Sequence, residues 1–343
     1  MRAVVAESLG PIEAVPLRLT ETDDPEPGPS QVRVRVRCCA VCRTDLHVLE
    51  GDLPRQRLPI IPGHQVVGVV DRIGPGASRF KLGQRIGIAW LGRTCGRCPY
   101  CTTGRENLCA QAAFTGYHKH GGYAEHAVVD EDFAYELPES FDDLQAAPLL
   151  CAGIIGFRAL LRASPFPGCR LALIGFGSSA HMVLPIALHR GYQVYVTARG
   201  AGHRRLAEQM GAHWAGEHPD SLPVQVDSAI LFAPAGDLVP PTLAKLVRGG
   251  TLACAGIHMS DLPPMSYAQH LFGERDLRSV TCNTRQDGIA LLREAAQARL
   301  APRVEVYTLA EANRALWDVK AGRVRGTAVL MVDGPAGPAT LTR

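Results

Sequence analysis

A thiol and an imidazole in the first part of the chain have the chemistry to bind a zinc ion together. Cys42 opens residues 42–47, and His64 follows Gly63 further along. Thiolate and imidazole suit Zn²⁺, and a catalytic zinc needs three protein ligands with a fourth position left for water or substrate. Cys151 is a candidate third ligand. The spacing alone leaves open that all three are packed core residues.

Four further cysteines form the most specific pattern in the sequence. They follow at spacings of three, three and eight residues, with glycine and proline between them: Cys95, Cys98, Cys101 and Cys109. Four thiolates so placed close a tetrahedron around zinc and leave no position for substrate, which indicates a structural site. Free or disulfide-bonded cysteines are the alternative. The ending and spacing of ferredoxin-like cluster motifs are absent.

A glycine-rich turn in the second half of the chain is typical of dinucleotide binding. The apolar residues 170–174 predict a buried strand, which leads into Gly175 and Gly177 of a Gly-x-Gly-x-x-Ala sequence. The first glycine makes the turn and the second lets the backbone approach a pyrophosphate. A helix beginning near Ser178 then directs its N–H groups at the phosphates.

The end of the next strand bears on the choice of cofactor. Residues 193–197 predict that strand, and Arg199 follows it where NAD enzymes of this pattern place a carboxylate for the ribose hydroxyls. A guanidinium there pairs with a 2′-phosphate, and Thr197, His203 and Arg204 are near enough in sequence to help. We therefore expect NADP(H). If Arg199 instead stacks on adenine, NAD(H) remains possible.

Periodicity predicts an α/β chain with two kinds of domain, as its 343 residues suggest. Short strands broken by glycine and proline predict a barrel-like domain up to about residue 145, and alternating helices and apolar strands then predict a parallel sheet. We predict strands at 31–37, 66–73, 170–174, 193–197, 229–234, 250–257, 276–282 (an edge) and 327–332, helices at 151–163, after 286 and at 310–320, and a loose tail at 334–343.

Composition excludes several classes of partner. The net charge is +3, from 36 basic and 33 acidic residues, and no basic run indicates a nucleic-acid partner. The longest apolar stretch, around residues 146–157, is too short to span a membrane, and no signal-peptide core follows Met1. We expect a cytoplasmic protein, in which eleven cysteines indicate reduced thiols and metal sites rather than disulfides.

Taken together, these features resemble the zinc-dependent medium-chain alcohol dehydrogenases over nearly the whole chain. The resemblance is carried by residues 42–47, Gly63, His64, the four clustered cysteines, residues 121–125, Cys151 and residues 175–177. Residues 255–261 and 284–288 are similar to bacterial members grouped with cinnamyl alcohol dehydrogenases. The resemblance implies a GroES-like β-barrel catalytic domain at 1–150 with a structural-zinc lobe at 92–112, a Rossmann coenzyme domain at 151–285, and a return to the catalytic domain at 286–343.

The resemblance also assigns roles within the site. It implies two zinc ions per chain, one bound by Cys42, His64 and Cys151 and one by the four clustered cysteines. Thr44 is placed like the hydroxyl that takes the alcohol proton, and His47 like the imidazole that passes it to solvent. Asp45 would orient His64. The remaining implied cofactor contacts are Arg43, Gly256 and Ile257.

The implied reaction is hydride transfer between a primary alcohol and NAD(P), in a homodimer or homotetramer joined through the edge strand. Trp90 resembles the aromatic wall of yeast-type enzymes, and Leu53 stands where those carry tryptophan, which leaves room for a longer-chain or aromatic alcohol. Gln65 replaces the glutamate usual after the ligand histidine, with a consequence that the sequence leaves open. The rivals are a zinc-independent quinone or enoyl reductase and a non-catalytic protein that binds zinc and nucleotide.

Overall fold

The computed structural model describes residues 1–54 and 57–332, and the chain divides into two compact units. The first consists of Met1–Cys151, Asn283–Ala296 and the chain from Ala301 onward, and the second of Ala152–Cys282 and Gln297–Leu300. The tail predicted to be loose, residues 334–343, lies outside the described residues.

The first unit begins with short strands and helices. They are β1 (Arg2–Val5), β2 (Arg18–Glu21), β3 (Gln31–Val41), α1 (Arg43–Glu50), β4 (Val66–Ile73), β5 (Arg85–Ile88), β6 (Leu91–Arg93), α2 (Pro99–Thr102), β7 (Ala113–Phe114), β8 (His126–Asp130), β9 (Ala134–Glu136) and α3 (Asp143–Pro148). A π-helical turn, Leu149–Gly153, follows α3.

The second unit alternates strands and helices. They are α4 (Ile154–Ala163), β10 (Arg170–Ile174), α5 (Ser178–His189), β11 (Gln193–Thr197), α6 (Ala201–Gln209), β12 (Trp214–Gly216), β13 (Val226–Leu231), α7 (Val239–Ala244), β14 (Leu246–Cys254), α8 (Tyr267–His270) and β15 (Asp276–Ser279). The chain continues with α9 (Arg285–Gln297), β16 (Val304–Thr308), α10 (Ala312–Lys320) and β17 (Thr327–Met331).

Each unit is built on one large sheet. In the first, the strand order is β16-β17-β3-β4-β5-β9 with β8 also paired to β3, and the ladders are antiparallel except between β16 and β17. In the second, all six strands run parallel in the order β12-β11-β10-β13-β14-β15, with β15 at an edge as predicted. This order doubles back around β10, which gives the doubly wound topology.

The predicted strands at 66–73, 170–174 and 193–197 are confirmed, whereas several other boundaries were wrong. β3 extends to Val41 because β17 and β4 supply partners for its second half. The strand predicted at 229–234 lies at Val226–Leu231, and the one predicted at 250–257 lies at Leu246–Cys254. Parallel pairing between these two strands sets both ends.

The helix predicted at 151–163 is the end of a longer helical run. It starts at Asp143, where Asp142 and Gln145 form a capping box, and it passes through the π-helical turn before α4. By length and composition this run, Asp143–Ala163, could cross a membrane, but 67% of its most apolar window is buried inside the fold, as in a core helix. The edge strand ends at Ser279, α10 starts at Ala312 and β17 ends at Met331, each slightly shorter than predicted.

The chain before His64 is packed too tightly for any side chain at Gly63. This glycine has φ of 93°, and a Cβ there would lie 2.3 Å from the Tyr123 ring and 2.9 Å from Cys39 Sγ. Gly121 closes the other side, since its own Cβ would lie 2.0 Å from the Gly63 carbonyl oxygen. Glycine at both positions therefore lets the segment that carries His64 lie directly against the 121–123 turn.

We predict that Gly63→Ala lowers the free energy of unfolding by about 3 kcal/mol or more, because positive φ and overpacking of a buried ring add together. Gly76→Ala is the matched control, since Gly76 also has positive φ, 75°, but open space around it. The control should lose only about 1 kcal/mol. Urea unfolding of both variants measures the difference, and equal losses would contradict the packing argument.

Candidate functional site

Cys42, His64 and Cys151 come together in the first unit with a geometry that fits zinc. Their ligand atoms all lie within 4.8 Å of one another, and Cys42 Sγ is 3.4 Å from His64 Nε2. Zn–S and Zn–N bonds of ordinary length place tetrahedral sulfur and nitrogen ligands about 3.5 Å apart. The donor set and its spacing therefore match a zinc site with three protein ligands.

The start of α1 positions two of the residues involved. Cys42 is the N-cap of this helix, and its Sγ accepts a hydrogen bond from Thr44 N at 3.4 Å. Asp45, in the first turn, accepts from Cys42 N at 2.9 Å, which completes a capping box. Cys151 lies on the π-helical turn, an irregularity often found at functional sites.

Asp45 also fixes the orientation of His64. Its Oδ1 is 3.0 Å from His64 Nδ1, and both side chains are buried. With Nδ1–H donated to the carboxylate, Nε2 is the nitrogen left to face Cys42, which is the arrangement that metal-binding histidines need. The structure thus places Asp45 against His64, and its orienting role at a metal ligand stays a prediction.

Burial and neighbouring groups shift the pKa values of His64 and Cys42 in opposite directions. Burial lowers the pKa of His64, but the Asp45 carboxylate and the Cys42 thiolate outweigh it and raise that pKa to about 10. A hydrogen bond from Cys151 lowers the pKa of Cys42 well below its usual value despite burial. Metal ligands must give up their protons, so the lowered pKa of Cys42 favours zinc binding.

The amide of Gln65, next to His64, is fully buried, and neither its nitrogen nor its oxygen has a hydrogen-bond partner among the described residues. An unpaired buried amide is costly, and the described residues give no explanation for it at this position.

The four clustered cysteines converge as a closed set. Their sulfur atoms lie within 4.8 Å of one another, with Cys98 Sγ 3.5 Å from Cys101 Sγ and Cys95 Sγ 3.9 Å from it. Tetrahedral zinc thiolates are about 3.8 Å apart. Backbone N–H groups point at the sulfurs, and those around Cys95 lower its pKa to about 6, which favours the thiolate.

Asp52 contacts the predicted site residue His47, and the sequence analysis did not identify it. His47 Nδ1 is 2.7 Å from Asp52 Oδ2, and Asp52 N donates to the His47 carbonyl at 3.0 Å. Gly51, in the left-handed conformation, ends α1 and turns Asp52 back onto His47. The only sequence signal was this glycine, four residues after His47. Thr44, one turn before His47, is half-buried.

Aromatic rings form a wall beside His64. Trp90 meets the His64 ring edge-on at 4.9 Å and stacks on Phe114 at 5.0 Å and on Tyr117 at 5.8 Å. Sequence analysis had singled out Trp90 alone. Leu53, predicted as the other pocket residue, is half-buried in the loop after α1.

The coenzyme candidates of the second unit lie at the carboxyl ends of its strands. Gly175 has φ of 93° and donates to Thr197 O at 2.8 Å, so the glycine turn and the end of β11 are neighbours. A Cβ at Gly177 would meet nothing within 4 Å, and Ser178 begins α5. Space is thus left where a pyrophosphate would approach. Gly256 and Ile257 follow β14, and Ile257 is exposed.

Arg199 is exposed just after β11, whereas Arg204 is hydrogen-bonded to the backbone of the loop. One guanidinium nitrogen of Arg204 donates at 2.7 Å to both Ala198 O and Arg199 O. Arg204 was predicted to help bind a phosphate. In this structure its guanidinium instead contacts the backbone of the same loop. Arg43, the cofactor candidate of the first unit, is exposed and donates to Lys320 O at 3.5 Å.

Comparisons with known proteins all identify alcohol dehydrogenases as similar to this chain. A family model described as the alcohol dehydrogenase GroES-like domain matches residues 28–139. A probable alcohol dehydrogenase, AdhA, of Mycobacterium tuberculosis is 52% identical over 94% of this chain and 95% of its own. A cinnamyl alcohol dehydrogenase from Sorghum bicolor has a TM-score of 0.87 at 27% identity, covering 99% of both chains. A thermostable alcohol dehydrogenase from Pyrobaculum aerophilum, solved with cobalt and zinc, has a TM-score of 0.87 at 26% identity, covering 97% and 99%.

The fold and site define a medium-chain dehydrogenase with a GroES-like domain and a doubly wound coenzyme-type domain, so the predicted fold class is confirmed. The chain belongs to the zinc-binding medium-chain alcohol dehydrogenase family, which makes it an oxidoreductase.

One histidine beside the aromatic wall should make stability depend on pH. His118 Nδ1 accepts a hydrogen bond from Phe114 N at 3.3 Å, and burial lowers the pKa of His118. Only the neutral ring can accept this bond. A folded-state pKa below the unfolded value of about 6.5 means that stability is full above that pH and is lost as the pH falls through the lowered pKa.

We therefore predict that the thermal midpoint falls between about pH 7 and pH 5 more steeply in the native protein than in His118→Asn. Asparagine keeps an acceptor near the position of Nδ1 but does not titrate in this range. Thermal unfolding at several pH values measures both slopes, and identical slopes would rule out His118 as a contributor.

Proposed function

We propose that this protein transfers a hydride between a primary alcohol and NAD(P), and that Cys42, His64 and Cys151 hold the catalytic zinc. The observation that carries the proposal is the convergence of these three donors within 4.8 Å, with Asp45 behind His64. A zinc ion held there supplies the Lewis acidity that makes an alcohol hydroxyl easier to deprotonate. The presence of metal in the similar Pyrobaculum aerophilum structure supports the assignment.

The residues of α1 would move the alcohol proton. Thr44 and His47 lie one turn apart on this helix, so their side chains share a face. We assign Thr44 to accept the proton from the alcohol and His47 to release it to solvent. Asp52, at 2.7 Å from His47, would hold the imidazole in place.

We assign the catalytic role to residues 1–150 and 286–343, with a structural-zinc lobe at 92–112, and coenzyme binding to 151–285. The two compact units, which change at Cys151 and at Asn283, support this division. Gly175, Gly177 and Ser178 would face the pyrophosphate, and Arg43, Gly256 and Ile257 complete the proposed coenzyme contacts.

The substrate we propose is a longer-chain or aromatic primary alcohol. The stacked rings of Trp90, Phe114 and Tyr117 give the first unit a broad apolar wall next to a proposed zinc ligand. Leu53, in place of a bulkier indole, leaves room opposite. A similar structure is a cinnamyl alcohol dehydrogenase, which supports an aromatic substrate class.

We also propose a homodimer or homotetramer formed through β15. This strand is an edge of the parallel sheet, and the chain just before it exposes the rings of Tyr267 and Phe272. Pairing would satisfy open backbone groups and cover apolar surface. Light scattering that finds a monomer at micromolar concentration would contradict the assembly.

The zinc assignment predicts two zinc ions per chain with different roles, from the two ligand groups. Cys151→Ala should abolish alcohol oxidation, remove one zinc and leave the protein folded. Cys98→Ala should first lower the thermal midpoint, because a structural site contributes folding energy. Metal analysis, turnover and thermal unfolding are measured on each variant.

Cys169→Ala is the control, because Cys169 is a buried cysteine outside both groups and its loss should leave the zinc content unchanged. One zinc or none in the freshly purified native protein would contradict the proposal. Turnover that survives complete removal of zinc would favour a zinc-independent reductase, and zinc binding without any turnover would favour a non-catalytic binding protein.

For the coenzyme we favour NADP(H), with NAD(H) as the alternative. Arg199 is exposed at the end of β11, and the loop there offers no carboxylate to bind the ribose hydroxyls. Arg199→Ala should lower kcat/KM for NADP about ten- to hundredfold, the value of one or two charge-assisted hydrogen bonds, and leave NAD nearly unchanged. Arg205→Ala, at an exposed position on α6, is the control. A preference for NAD that Arg199→Ala does not alter would remove Arg199 from the phosphate site.

A further inference from the structure

The short loop after α1 carries two residues of the proposed site. Gly51 ends the helix with φ of 88°, and the loop then continues through Asp52, Leu53 and Pro54. Asp52 is tied to His47 by its side chain at 2.7 Å and by its backbone N–H at 3.0 Å. The loop therefore begins firmly on α1, and Leu53 lies between this anchor and Pro54.

The turn at residues 115–119 is fixed by hydrogen bonds and close packing. Thr115 N donates to Trp90 O at 2.9 Å, and Gly116 N donates to Lys119 O at 2.8 Å. A Cβ at Gly116 would lie 2.9 Å from Gly63 N, so this turn packs directly on the segment that carries His64. The turn is thereby fixed against both the aromatic wall and a proposed zinc ligand.

Tyr117 connects this turn to the loop. Its ring is 5% exposed and stacks on Trp90 with an angle of 15° between the planes, and its hydroxyl donates a hydrogen bond to the Pro54 carbonyl oxygen. A buried hydroxyl that lost this partner would be left unpaired, which favours the connected arrangement. One side chain thus contacts the wall at Trp90 and holds the residue next to Leu53.

We propose that Tyr117 is a positioning residue that sets the distance between Leu53 and the Trp90 wall, and so determines the size of alcohol that the enzyme selects. The inference rests on the proposed alcohol dehydrogenase function. Tyr117 acts through the backbone of Pro54 rather than by contact with the reacting atoms. We expect a long or aromatic alcohol to contact both Leu53 and the Trp90 wall, and ethanol, with only two carbons, to depend less on Leu53.

The test is Tyr117→Phe, which removes the hydroxyl and keeps the ring stack. We expect kcat/KM for benzyl alcohol and hexanol to fall about five- to tenfold, mainly through a higher KM, because one hydrogen bond that fixes a binding surface is lost. Ethanol should change less than about twofold. The ratio of kcat/KM for benzyl alcohol to that for ethanol is the decisive quantity, because a general loss of stability would not change it.

Tyr307→Phe is the matched control. Tyr307 is also buried, at 6% exposure, and its hydroxyl donates to Asp318 Oδ2 at 3.1 Å, so the substitution also removes a buried hydroxyl donor from the same unit. The control should lower thermal stability at least as much as Tyr117→Phe, because its bond is to a carboxylate, while leaving the benzyl alcohol to ethanol ratio unchanged.

A double mutant tests whether Tyr117 acts through Leu53. In a Leu53→Ala background, Tyr117→Phe should no longer change the ratio, because the second wall is already gone. An effect on the ratio that persists in that background would overturn the proposed route, as would equal losses for both alcohols in Tyr117→Phe. An active native enzyme whose ratio is unaffected by Tyr117→Phe would overturn this inference alone. A native protein that oxidises no alcohol would overturn the proposed function as well.

Discussion

The carboxylate of Asp45 is the interaction on which the site depends most. One of its oxygens accepts from the backbone of Cys42 and starts α1, and the other faces His64 Nδ1 across a separation of 19 residues. The group is buried, and a buried carboxylate is tolerated only when its hydrogen bonds are made. The same two bonds that make Asp45 stable therefore bring Cys42 and His64 to within 3.4 Å. The start of α1 and the approach of Cys42 to His64 therefore depend on the same side chain, Asp45.

The two cysteine-containing sites are organised by different physics. In the four-cysteine lobe the cysteines are close in sequence, and nearby backbone N–H groups donate to the sulfurs of Cys95 and Cys109, so local turns nearly suffice to build it. Cys42, His64 and Cys151 come from a helix cap, the entrance of a strand and a π-helical turn, and only the assembled first unit brings them together. The three-ligand site is correspondingly surrounded by fixed groups: Asp45, the Gly63 packing and the edge of Trp90.

In the second unit, the side chain of Arg204 binds nearby backbone carbonyl groups instead of remaining available to a ligand. Arg204 has the sequence position of a phosphate ligand, yet its guanidinium donates to two carbonyl groups in the loop just after β11. Charge-assisted hydrogen bonds to both are strong, and they leave Arg199 as the exposed guanidinium of this loop. Whether an arginine binds a backbone carbonyl or a phosphate depends on the local geometry, and the residue type alone does not give that geometry.

The sequence by itself determined the features that depend only on residues close to one another in the chain. The alternating and apolar runs of β4, β10 and β11, the glycine turn at Gly175 and the four-cysteine lobe are local patterns, and the structure has the three strands where they were predicted. The ends of β13 and β14 shifted by several residues because pairing between strands, rather than apolar content, fixes where a strand stops. Asp52, the backbone contacts of Arg204 and the bond from Tyr117 to Pro54 appeared only in the tertiary structure. Each depends on a turn or a distant segment folding back, and the direction of a side chain after such a turn is set by packing rather than by the order of residues.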